Sequence, residues 1–412
     1  MNSAKKAYIV SLGCPKNLSD TEAIMGNLVC QGYQITNNPA EAETIVVNTC
    51  AFLKSARDEA MSTIKEMASW KKKGRCKQLL IAGCLPKWEG RQKEADGIRG
   101  VDGVIESIQL YNCSTPRIKA TPPWYAYVKI AEGCSNCCTY CLIPKIRGKL
   151  RTRPVADIIK EVSQLAQKGV KEIIYIAQDT TAHPQLAEIL KKTAKIAKIS
   201  WIRLMYAHPK HLTDKVIDIM AKEPKIVKYL DLPIQHVCDK ILNRMNRPEI
   251  TGPDLYNLVD KIRKRIPSIA LRTSVIVGFP GEGEAEFSEL CKFLEKVKFE
   301  RLGAYPFSKE IGTPAAKMRG QVSQKQKEVR FHRVMQLQKG ISKERNKQLI
   351  GKVIETIIEG VQGGQYIGRS YMDAPEIDGR VLTASHKSIT PGEIVKVKVT
   401  KALPYDLIGY RV

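Results

Sequence analysis

The 412-residue sequence predicts an α/β chain in three parts. These are a Rossmann-like parallel-sheet domain over residues 1–115, a partial (βα)6 barrel over 120–345, and a small OB-like antiparallel β-barrel over 346–412. Three observations predict it. The N-terminal region alternates short apolar runs with amphipathic stretches, the pattern of parallel strands wrapped by helices. Six further apolar runs recur at βα spacing between residues 125 and 306. The last stretch of about sixty residues changes to short alternating runs divided by Gly-Gly, Asp-Gly and Pro-Gly turns. A chain of this length also exceeds the size at which one hydrophobic core keeps growing.

Taken in order, the first domain opens with the run Tyr8 to Leu12, followed by a helix expected near Ser19, where Ser19 and Glu22 have capping-box spacing. The run Thr44 to Asn48 precedes a long helix from about Leu53 to Trp70, and Gln78 to Ala82 follows it. Thr115 to Pro123 holds three prolines and reads as a linker. The barrel strands are expected at Tyr125 to Ala131, Glu172 to Ala177, Trp201 to Tyr206, Tyr229 to Ile234, Leu271 to Val277 and Leu302 to Pro306. Helices lie between them, one opened by Pro154 and another near Pro184, and a basic helix from Val322 to Leu349 leaves the barrel. Five short runs complete the chain: Lys352 to Glu359, Gln365 to Arg369, Arg380 to Ala384, Ile394 to Thr400 and Leu407 to Arg411.

The 67 Lys and Arg against 42 Asp and Glu give a formal charge of +25, spread along the chain, which favours an anionic partner without naming one. No apolar run approaches the roughly 18 residues of a membrane span and no secretory signal is visible, so a cytoplasmic protein is expected. In that compartment twelve cysteines point to metal or redox chemistry rather than a disulfide framework.

Three of those cysteines directly follow the three N-terminal runs, as Gly13-Cys14, Thr49-Cys50 and Gly83-Cys84. The carboxyl ends of parallel strands share one edge, so these thiols should converge there. They suit an iron–sulfur cluster with one iron left open, or a zinc site with an open position. Cys30, Cys76 and Cys113 do not share the placement and read as structural, as do all six histidines, which form no paired metal motif.

The segment Glu132-Gly133-Cys134-Ser135-Asn136-Cys137-Cys138-Thr139-Tyr140-Cys141 follows the first barrel strand. Two ligand triplets are open: Cys134, Cys138 and Cys141, or Cys134, Cys137 and Cys141. The first has the aromatic Tyr140 before its last cysteine, and this C-x3-C-x-aromatic-C pattern resembles that of the radical S-adenosylmethionine (SAM) enzymes. Cys137 departs from the family pattern and is expected to be unused.

Together the strand-end cysteines, this motif and the C-terminal β-barrel resemble the methylthiotransferases, in which that barrel is called a TRAM domain. The resemblance implies two [4Fe-4S] clusters, one on Cys14, Cys50 and Cys84 and one on Cys134, Cys138 and Cys141, with SAM bordered by Tyr140, Gln178, Asp179, Gly278 and Gly281. It implies two SAM molecules per turnover, with the transferred sulfur carried at the auxiliary cluster. One branch of the family modifies a tRNA adenosine and the other an aspartate of ribosomal protein S12. Gly13-Cys14-Pro15-Lys16-Asn17, Ala177-Gln178-Asp179-Thr180-Thr181 and above all Gly368 to Gly379 look like the S12 branch. S12, an external electron donor and ribosomal RNA are then the expected partners. The tRNA activity, or more remotely a non-catalytic metal-containing RNA-binding protein, are the alternatives.

Overall fold

The computed structural model describes residues 5–90, 100–105 and 112–412. Strands β1 (Lys6–Ser11), β2 (Gln34–Ile35), β3 (Thr44–Thr49), β4 (Gln78–Gly83) and β5 (Gly103–Val104) form one sheet in the order β2-β1-β3-β4-β5, every pairing parallel. β3, buried at all six positions, is its centre. The edge strands β2 and β5 are two residues long, too short to leave a periodic signal in the sequence. Helix α1 (Pro15–Cys30) begins four residues before Ser19, because Pro15 supplies its first turn and Cys14 its N-cap position. Ser19 and Glu22 are therefore buried inside the helix, and Glu22 accepts hydrogen bonds from Arg117 (2.6 Å) and the Ala120 amide (2.7 Å). Helix α2 (Lys54–Lys73) ends on Lys71, Lys72 and Lys73, cations at the negative end of its dipole.

The segment from Thr115 to Pro123 is held to both of the domains it joins. Arg117 reaches Glu22 of the first domain, Glu161 of the second (2.5 Å) and the Tyr127 carbonyl (2.6 Å), so the stretch is pinned between the two domains.

Strand β6 (Tyr125–Lys129) runs into β7 (Ala131–Glu132), which turns out of the sheet and pairs antiparallel with β8 (Arg151–Thr152). β6 continues sideways through β9 (Glu172–Ile176), β10 (Trp201–Leu204), β11 (Ile226–Asp231), β12 (Ala270–Val277) and β13 (Arg301–Pro306), a six-stranded parallel sheet. Alternate residues of each strand serve different cores. Ala126, Val128, Ile173, Tyr175, Ile202 and Leu204 pack outward on the helices, against Ile158, Val162 and Leu190. Tyr125, Tyr127, Ile174, Ile176 and Trp201 face inward, where Ile354, Ile357, Met372 and Val397 of the C-terminal domain meet them. The basic helix spans Gln324–Lys347, with the Ser323 hydroxyl accepting from the Gln326 amide.

β14 (Val353–Gln362), β15 (Gln365–Ser370), β16 (Val381–Ala384), β17 (Ile394–Ala402) and β18 (Leu407–Arg411) close into a barrel in the order β14-β15-β16-β18-β17. Its pairings are antiparallel except β16 with β18, which is parallel and corrects the expectation of a wholly antiparallel barrel. The reason is topological: an odd number of strands cannot alternate direction all the way round a closed ring. The end of β15 and the segment after it press into the amino-terminal end of the (βα)6 barrel. Arg369 pairs with Glu172 (2.5 Å), Asp373 with Arg301 (2.7 Å), and Asp378 with Arg272 (3.3 Å) and the Tyr229 hydroxyl (2.8 Å). Among the described residues no helix is long and apolar enough to cross a membrane.

Candidate metal centres

The first centre lies where the carboxyl ends of β1, β3 and β4 share an edge. Cys14 sits at the start of α1, Cys50 follows Thr49 and Cys84 follows Gly83. The three thiols converge: Cys14 acts electrostatically on Cys50, and both act on Cys84. A side chain at Gly13, whose φ is +90°, would place a Cβ 2.8 Å from that of Cys50, so β1 passes directly against the second cysteine. A polar ring fixes the loops. Asn17 donates to the carbonyls of Leu12 (2.7 Å) and Thr49 (3.0 Å), and Asn48 donates to the Asn17 carbonyl (2.8 Å).

Burial pushes the Cys50 thiol up and the Cys84 thiol up to about 11, the latter against the pull of the Arg147 guanidinium. Thiols held neutral by burial yet crowded together exchange protons for a cationic group when a metal binds. Three sulfur donors match a four-iron cluster with one iron free of protein ligand.

Arg147 comes from the second domain and was not legible in the sequence. It is buried, donates to the Cys84 sulfur (3.3 Å), to Asp20 (2.7 Å) and to Asn17 (2.7 Å), and lies 3.4 Å from Glu132. Lys129, fully buried, pairs with the same Asp20 and with Glu132 (2.6 Å). Burial opposes ionisation of Glu132, but Lys129 and Arg147 outweigh it and hold its carboxyl well below the usual range. Two cations and two carboxylates thus lock the first centre onto the barrel.

The second centre is the loop between β7 and β8. Its backbone is gripped by the barrel: the Thr139 amide donates to the Met245 carbonyl (3.0 Å), the Thr139 hydroxyl to the Arg244 carbonyl (2.8 Å), and the Ala315 amide to the Thr139 carbonyl (3.0 Å). Cys138 acts electrostatically on both Cys134 and Cys141, and burial pushes the Cys141 thiol up to about 12. Cys137 is exposed; its carbonyl is held by Asn246 (2.9 Å) and its thiol turns back to the Ser135 carbonyl (3.8 Å). Tyr140 packs edge-on against Phe279 at 6.3 Å, with Arg247 3.5 Å from its hydroxyl.

Gln178 lies just past β9 and donates to Glu132 (3.0 Å), while its side-chain oxygen is buried with no partner among the described residues. An orphaned acceptor beside the cysteine loop fits the ammonium of a bound amino-acid group. Asp179 differs: its carboxylate takes Asn136 (2.8 Å), His211 (2.7 Å), the Thr181 hydroxyl (2.9 Å) and the Ala182 amide (3.1 Å). It orients the cysteine loop through Asn136. His208 and His211 join Asp179 with ligand atoms within 4.8 Å of one another, a convergence no spacing motif signalled. Gly278 and Gly281 are required by packing: a Cβ would lie 2.3 Å from Lys327 Cγ and 2.7 Å from Arg244 Nε respectively. Their amides donate within the protein, to Glu282 (2.9 Å) and to the Gly320 carbonyl (2.8 Å).

Residues 128–294 match the radical SAM superfamily, residues 6–105 the uncharacterized protein family UPF0004, and residues 350–412 the TRAM domain. The chain is 44% identical to the ribosomal protein uS12 methylthiotransferase RimO of Desulforamulus reducens, over 97% of its own length and 98% of that relative's. It belongs to the uS12 methylthiotransferase family. The same is seen with the RimO of Geobacter sulfurreducens, 42% identical over 99% of each chain. A radical SAM methyltransferase, TsrM from Kitasatospora setae, shares the fold with a TM-score of 0.54 over 73% of each chain at 12% identity. As a family member the chain is a radical SAM methylthiotransferase, with SAM and [4Fe-4S] clusters as its cofactors.

Proposed function

We propose that this enzyme replaces a hydrogen on the β-carbon of an aspartate of ribosomal protein S12 with a methylthio group. Similarity to the S12 enzymes over nearly the full length, at 44% identity, joined to two separate three-cysteine groups in one molecule, carries the reading. Cys134, Cys138 and Cys141 hold the cluster that works on SAM; Cys14, Cys50 and Cys84 hold the auxiliary one. When bound, these groups supply an electron to cleave one SAM, the methyl group of another, and a carrier for sulfur. A radical route suits the target because a C–H bond beside a carboxylate is not acidic enough for an ordinary general base.

The chain's own residues do the positioning. Gln178 presents its free oxygen to the methionine ammonium. Asp179 holds the cysteine loop by way of Asn136. Tyr140, wedged against Phe279, and the tight Gly278–Gly281 turn shape the wall on the other side. The buried lock of Asp20, Lys129, Glu132 and Arg147 ties the first centre to the barrel and helps exclude water from the seam. The domains divide as 1–115, 120–345 and 346–412. The enzyme works in the cytoplasm, takes electrons from an external donor and meets ribosomal RNA with its +25 charge.

The test is the intact mass of S12 from cells with and without this gene. Loss of one methylthio group in the deletion strain, restored by the gene, is expected. An unchanged S12 mass overturns the reading and directs attention to tRNA nucleosides.

A further inference from the structure

The seam between the two domains is rich in matched charge: Arg147, Lys129 and Arg117 each pair with two carboxylates. Lys16 breaks the pattern. It follows Cys14 by two residues, is half-buried, and has no carboxylate partner among the described residues. Its ammonium instead lies 3.2 Å from the centroid of the Tyr206 ring, a contact that reaches from the first domain to the second.

Tyr206 stands just past the carboxyl end of β10, at the mouth of the barrel. Its backbone is left-handed, with φ of 60°, a conformation rare for a bulky residue and characteristic of functional sites. The Asp231 carboxylate holds it there by accepting from the Tyr206 amide at 3.1 Å. Asp231 is itself committed to Arg272 at 3.0 Å and does not neutralise Lys16. A strained residue of the second domain thus carries a ring that holds a cation without a carboxylate partner beside the first cysteine centre.

An aspartate entering this seam brings a carboxylate that sheds water and needs a cation in return. The carbon to be modified is one bond from that carboxylate. A cation beside the first centre therefore holds the reacting carbon in the seam, and a neutral side chain gains nothing from it. We propose that Lys16 receives the carboxylate of the target aspartate and is a specificity-determining residue for the protein substrate; this rests on the S12 reading above.

The test is the affinity of S12, and of S12 with its target aspartate changed to asparagine, for the anaerobically purified enzyme. Wild type, Lys16→Met and Lys16→Arg are compared, and iron content is measured on each preparation. Wild type is expected to prefer the aspartate form by roughly tenfold or more, the scale of a charge-assisted hydrogen bond. Lys16→Met should bind both forms equally, and Lys16→Arg should retain most of the preference. Equal affinity of the wild type for both forms, or a preference that survives in Lys16→Met with full iron, overturns the proposal. The wild-type comparison needs no variant to fold. Failure of the wild type to bind either form would instead overturn the S12 reading, and this contact with it.

Discussion

The two cysteine centres are built by opposite routes. The second draws its cysteines from one loop, Cys134 to Cys141, that carries most of its own geometry in eight residues. The first gathers Cys14, Cys50 and Cys84 from three strand ends up to 70 residues apart, and completes its surroundings with Arg147 from another domain. The loop centre should tolerate loosening of the domain interface. The strand-end centre should not, because its thiols meet only when the parallel sheet is formed and the buried charges are in place.

The largest expected effect is at the loop. Cys138→Ala should abolish cleavage of SAM, read as release of 5'-deoxyadenosine, whereas Cys137→Ala should leave it in place. The reverse result would move the ligand set to the other triplet. Next is Arg147→Met, which leaves Asp20 and Glu132 to share Lys129 alone. Breaking such a buried network costs about 3–5 kcal/mol. A lower thermal midpoint is expected, with iron lost from the strand-end centre before the loop centre. Equal loss from both would erase the contrast.

At the far end of the barrel, Arg369→Met removes one of the two cations on the buried Glu172 carboxylate. About 3 kcal/mol of docking between the C-terminal domain and the barrel should be lost, seen as faster limited proteolysis between them with both iron centres intact. Burial works against ionisation of Glu172, but Arg369 and Arg203 hold its carboxyl below the usual range. Its contribution is therefore complete above the unfolded value near about 4.3 and lost as pH falls through the lower folded value. Asp378 is shifted the other way, raised by burial, and offsets part of this. The smallest effect is Gly13→Ala, a strained substitution worth about 1–2 kcal/mol that pushes on Cys50. It should disturb the spectrum of the strand-end centre and spare the other.

Much of this was legible because the chemistry repeats a local rule: an apolar run, a glycine or threonine, then a cysteine, three times over. The compact cysteine loop was legible for the same reason. The segment Gly368 to Gly379 was legible as the wording of the S12 branch, and the fold gives a physical reason for such fixed wording. Arg369, Asp373 and Asp378 are buried plugs of the barrel end, each with a charged partner there. Arg147 and Lys16 were not legible as site residues, since a lone cation has no period and its partners lie across a domain border. The capping reading at Ser19 failed because Pro15 begins the helix earlier, and the pinning of the linker was not legible because Arg117 finds its two carboxylates in different domains. His208 and His211 meet Asp179 only through the turn after β10, which spacing alone does not reveal.

The most direct test of the central claim is iron and acid-labile sulfide in two triple variants prepared anaerobically. One replaces Cys14, Cys50 and Cys84 by alanine, the other Cys134, Cys138 and Cys141. Each should retain half the iron of the parent, and only the first should still cleave SAM. Full iron in either variant, or the loss of all iron from both, would contradict the assignment of one cluster to each centre.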